Sequence, residues 1–99
     1  MLDSYPAEKY GAAVDYLESN RGLDQGLHKA AWELMHAGMG RWQNPELRQR
    51  HEVLVQALQQ RHAKASSADG LESNYAEARR LEKELRAIHR ALRAEAKFA

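Results

Sequence analysis

Apolar residues in this chain recur at helical spacing, and the breaks between periodic stretches fall at glycine, asparagine and proline. The longest periodic stretch is C-terminal. Leu71, Ala78, Leu81, Leu85, Ile88 and Leu92 follow one another at three, four or seven residues, which sets them on one stripe of a helix predicted over 70–98. Asn74 and Glu95 interrupt that register at its two ends. Asp69 and Glu72 flank its start in the pattern of a capping box, in which an acid accepts from the free N–H groups of the first turn.

Upstream, Tyr10, Ala13, Val14 and Leu17 share one face of a helix predicted over 5–19. Ser4 is placed to cap it, and Pro6 suits a first turn, where an N–H would be unpaired in any case. Asn20-Arg21-Gly22 ends it, with Asn20 or Gly22 suited to the left-handed conformation of a helix terminus. A second helix is predicted over 23–38, with Leu23, Leu27, Ala30, Ala31 and Leu34 on its main apolar face. His28, Trp32, Met35 and Met39 form another face of the same helix, so it is apolar on two sides. Asn44-Pro45-Glu46 then restarts the chain as a third helix, predicted over 45–65, with Asn as cap, Pro in the first turn and an acid on the helix dipole. Leu47, His51, Leu54, Leu58 and Ala65 make its seam, and Val55 widens it.

The loop before the last helix is short, which argues for an antiparallel helical hairpin. The expected fold is all-α: two short N-terminal helices packed on a long, coiled-coil-like hairpin, in a single domain of residues 1–99. Twenty-nine helical residues from 70 to 98 would span ~43 Å, against roughly 33 Å for a compact globule of this size. The fold is therefore elongated, or a second copy covers the overhang. Leu81, Leu85, Ile88 and Leu92 are the residues of that seam or self-association surface.

Composition supports the helical reading. Valine and isoleucine together number four, threonine is absent, and 17 alanines accompany many Leu, Glu, Gln, Arg and Lys residues. Much of the apolar fraction is therefore alanine, which leaves a thin core, and thin cores are often completed by oligomerisation. The absence of cysteine excludes disulfides and thiolate metal sites and makes a reducing compartment the default. With no signal-like or membrane-spanning stretch, the expected location is cytoplasmic, away from membranes.

Charge alters the picture more than composition does. The net charge is +1, but residues 1–40 carry three basic and six acidic groups while residues 74–99 carry seven basic and four acidic. Arg79, Lys83, Arg86, Arg90, Arg93 and Lys97 stack along one ~27 Å line of the last helix, where only Glu82 flanks them, at pairing distance from Arg86. Such a line can meet phosphates, an anionic membrane or an acidic protein. No aromatic residue interleaves with it for stacking on bases, and the second helix has only Lys29 as a basic residue, a poor basis for reading DNA. Trp32, Met35 and Met39 form a second candidate surface, since Trp and Met are enriched where proteins meet.

Catalytic and metal-binding constellations are weak. Glu33 and His36 have the i,i+3 spacing of di-metal bundles, but that chemistry needs a second pair and further carboxylates. The five serines sit at caps, in loops or in a first turn, and no phosphate-binding glycine loop follows a strand. The sequence thus points to a non-catalytic interaction protein (adaptor, inhibitor or assembly factor) that binds a protein partner, forms a homodimer and needs no cofactor. A nucleic-acid-binding accessory protein using the basic face is the alternative, and a metal-binding bundle comes after it.

Overall fold

The computed structural model describes residues 5–19, 22–38, 40–65 and 75–97. These form four α-helices and, among the described residues, no strand: α1 (Tyr5–Ser19), α2 (Leu23–Ala37), α3 (Pro45–Ala65) and α4 (Tyr75–Lys97). The expected caps at Ser4 and at Asp69 with Glu72, the Asn20 terminus, Leu71 and Asn74 lie outside the described residues.

Local chemistry accounts for the helix starts. Asn44 caps α3: its side-chain oxygen accepts from the backbone N–H of Glu46 at 2.9 Å and of Leu47 at 3.3 Å. Its carbonyl accepts from Arg48 N–H at 3.0 Å, the first bond of the helical ladder. Of the two residues suited to the left-handed role, Asn20 and Gly22, Gly22 does not take it. It is extended, at φ −124 and ψ 143, and serves as the N-cap of α2, accepting from Gly26 N–H at 3.0 Å. No described residue has a positive φ, so the turn between α1 and α2 uses no left-handed conformation at Gly22. At the other end of α2, Gly38 remains right-handed, and Gly40 N–H bonds to the Ala37 carbonyl at 3.2 Å.

All four helices supply one core. Tyr10 and Ala13 come from α1, Leu27, Ala30, Leu34 and Ala37 from α2, and Leu47, Leu54 and Leu58 from α3. Ala78, Leu81, Leu85, Ile88 and Leu92 come from α4 and are buried within this single chain. α4 touches α1, α2 and α3. The most extensive helix–helix contact, however, is between α1 and α2. Small residues explain the intimacy: a Cβ on Gly26 would stand 3.2 Å from the Leu17 Cα and 3.3 Å from the Tyr16 carbonyl oxygen. Gly40 works in the same way at the start of α1, where a Cβ would meet the Pro6 ring at 2.9 Å.

The molecule measures 47 × 24 × 19 Å. One dimension is about twice either of the others, so the single chain itself has room for a long helix. The 23 described residues of α4 span ~34 Å, within the long dimension of the molecule. Among the described residues no helix is long and apolar enough to cross a membrane.

Candidate interaction surfaces

The outer side of α4 carries the cations. Leu81, Leu85, Ile88 and Leu92 turn inward, which sends Arg79, Lys83, Arg90 and Arg93 to solvent and leaves Arg86 half-buried. The six-residue line is not uniform. Arg86 reaches Glu82 at 3.4 Å, the i,i+4 pair its spacing predicts, and also Glu18 of α1 at 3.5 Å. Arg79 reaches the same Glu82 at 3.5 Å. Glu82 and Glu18 thus engage two of the cations inside the fold, whereas Lys83, Arg90 and Arg93 have no carboxylate within ion-pair distance among the described residues. The Lys97 side chain lies outside the described ones.

Arg80 joins the open set, although the stripe did not include it. Together with Lys83, Glu84, Arg86, Ala87 and Arg90 it lines a shallow groove on α4. The Arg79-Arg80 tandem was the available signal, because consecutive residues on a helix diverge by about 100° and the second still faces away from the seam. Glu84, on the groove's margin, is engaged from α3: Arg50 Nε donates to it at 3.1 Å, and that bond holds the guanidinium above its ordinary pKa. Farther along, Arg61 of α3, only 7% exposed, pairs with Glu77 at 3.7 Å. The two contacts run in opposite chain directions on α3 and α4.

The other candidate surface lies on α2. Trp32 is 61% exposed and Met35 46%, on the side away from Leu27, Ala30, Leu34 and Ala37. The bundle therefore covers one apolar face of this helix and leaves the other in water. His28, Lys29 and His36 are exposed beside Trp32. Met39 lies outside the described residues.

The groups with chemical potential are held internally. Glu33 accepts from Lys9 of α1 at 3.2 Å, and that hydrogen bond raises the lysine pKa. Of the Glu33 and His36 pair, the carboxylate thus already serves an interhelix ion pair. Among the described residues no three His, Asp or Glu side chains gather where they could hold a metal ion. His51 is 3% exposed, and its Nδ1 shares a 2.7 Å hydrogen bond with the Tyr10 hydroxyl. Its ring lies 4.7 Å from that of Trp42, at 30°, and Tyr10 meets Trp42 edge-on at 6.1 Å. Trp42 Nε1 donates to the Ala37 carbonyl at 3.1 Å, which closes the cluster. Burial pushes the His51 pKa down to about 4, against a smaller opposing pull from Glu52, and raises that of the Tyr10 phenol. Both are therefore neutral at physiological pH, joining α1 to α3 as a satisfied polar contact.

No protein-family model, curated protein or solved structure shows significant similarity to this chain.

Proposed function

We propose that this chain acts by binding another protein through its helix surfaces, as an adaptor, inhibitor or assembly factor, and not by catalysis. The observation that carries this reading is the Trp32 and Met35 face. A tryptophan offers ~150–250 Å² of apolar surface, and leaving most of it in water forgoes stabilisation that burial would give. Trp is also the residue type most enriched among those that dominate binding energy. A flexible Met35 beside it and a polar margin of His28, Lys29 and His36 give the patch an apolar centre and a wet rim. The buried polar groups support the same reading, since Tyr10, His51 and Arg61 are committed to partners within the fold. α3 and α4, joined by Arg50–Glu84 and Arg61–Glu77, serve in this view as an antiparallel hairpin scaffold.

A second copy is the simplest occupant to examine. In sedimentation velocity at micromolar concentration, self-association through this face appears as a dimer that Trp32→Glu dissolves. A different protein is examined by affinity capture from the source cell. The wild-type chain is expected to retain a stoichiometric partner that Trp32→Glu loses, with the helical circular dichroism unchanged. Retention of every partner by Trp32→Glu, with no change in oligomeric state, would refute the reading.

A further inference from the structure

The groove on α4 differs in chemistry from the Trp32 face. Four of its six lining residues, Arg80, Lys83, Arg86 and Arg90, are cationic, and Ala87 is the small apolar one among them. Glu84 gives its charge to Arg50, and Arg86 is shared between Glu82 and Glu18. Arg80, Lys83 and Arg90 are left exposed, with no carboxylate within ion-pair distance among the described residues. Arg93 is open in the same way one turn beyond Arg90. Fixed like charges facing water along a shallow depression repel one another and favour whatever neutralises them.

We infer that this groove docks an acidic amphipathic helix of a partner protein. Spacing sets the shape of the occupant. Lys83 and Arg90 stand seven residues apart on one line of α4, two turns or roughly 10.5 Å, and Arg80 and Ala87 repeat the interval on the line beside it. A facing helix with carboxylates seven residues apart meets both Lys83 and Arg90, as flanking charges do in paired helices. The small Ala87 in the same lining lets such a helix approach to the short end of the usual ~8–10 Å interaxial range. A nucleic acid fits less well. From Ala76 to Lys97 the helix contains no Phe, Tyr or Trp for base stacking. The α4 groove is separate from the Trp32 face, and its occupant stands or falls independently.

The test uses the full chain and a synthetic three-heptad helical peptide with alanine and leucine on one face and glutamate on both flanks. Its Lys-for-Glu counterpart and a short DNA duplex serve as competing probes. Backbone amide shifts of the wild-type chain should move on adding the acidic peptide, clustered over residues 80–93, and should recover as salt is raised. The double variant Lys83→Glu with Arg90→Glu should lower peptide affinity by about tenfold or more, because two attractive pairs become repulsive. Arg48→Gln, an exposed cation on α3, and Trp32→Glu should leave it unchanged. Absence of shifts over residues 80–93, or equal binding of the lysine peptide, overturns the proposal. So does a duplex that binds these residues more tightly than the acidic peptide, an outcome that assigns the face to nucleic acid.

Discussion

Residue by residue, the most consequential position is His51. A histidine inside a leucine seam is costly only if it must charge or lose its hydrogen bond, and the Tyr10 hydroxyl prevents the second while burial prevents the first. Its pKa in the fold, about 4, lies below the ordinary value of 6.5. The unfolded chain therefore takes up a proton before the native one does. The stability that depends on neutral His51 is complete above pH 6.5 and is lost progressively as pH falls from 6.5 to about 4. Over that window the loss should reach about 3 kcal/mol. Urea unfolding across the range, for wild type and for the double variant Tyr10→Phe with His51→Phe, isolates this contribution from those of the carboxylates. The double variant removes both polar groups while keeping two rings, so its curve should fall less steeply with acid. Parallel curves for the two proteins would show that His51 has no such role.

Among the elements, the α1–α2 pair depends on one absent side chain. Alanine at position 26 would raise helix propensity by about 1 kcal/mol. Its Cβ would press on backbone atoms of Leu17 and Tyr16, which can yield only by moving the whole of α1. Overpacking of this kind costs ~1–3 kcal/mol, so Gly26→Ala should be neutral to mildly destabilising and Gly26→Val clearly destabilising. Thermal unfolding of the two variants measures this directly. A stabilised Gly26→Val would mean that α1 and α2 are less closely packed than their backbones indicate. The charged contacts between elements matter less individually. Arg50–Glu84 and Arg86–Glu18 are largely exposed, where such pairs contribute ~0–1 kcal/mol. Their effect is to decide which charges remain available on α4.

For the molecule as a whole, the inside and outside of the helices can be told apart by two matched substitutions. Leu85 is fully buried between α4 and its neighbours, and Leu85→Asp places an uncompensated charge there. The expected cost exceeds ~4 kcal/mol, a large part of the ~5–15 kcal/mol that holds a small domain together. Circular dichroism should show that variant mostly unfolded at room temperature. Trp32→Glu, an equally drastic exchange on an exposed face, should keep its helicity and its melting temperature within a few degrees. A folded Leu85→Asp would remove α4 from the core. The elongated outline has a related consequence: any self-association must use an exposed surface, since Leu81, Leu85, Ile88 and Leu92 are already covered within one chain.

The amino-acid sequence by itself determined the helical class, the start signalled by Asn44-Pro45, and the inward stripe of α4, because each is written in contacts between residues a few positions apart. It also showed that α2 has two apolar faces and that α4 has a cationic side. Tertiary structure alone decided what those faces do. Periodicity orients a residue only about its own helix axis, and whether that direction meets water or another helix depends on where the neighbours pack. Hence Trp32 proved to be outside and His51 inside, although both lie on apolar stripes. Hence also the division of the basic line: Arg86 is drawn to Glu18, 68 residues earlier in the chain, a distance across which the sequence carries no periodic signal. Gly26 was legible only as an ordinary weak point in a helix until α1 was seen lying against it. The cationic groove exists because folding neutralised some charges and left Arg80, Lys83 and Arg90 unmatched.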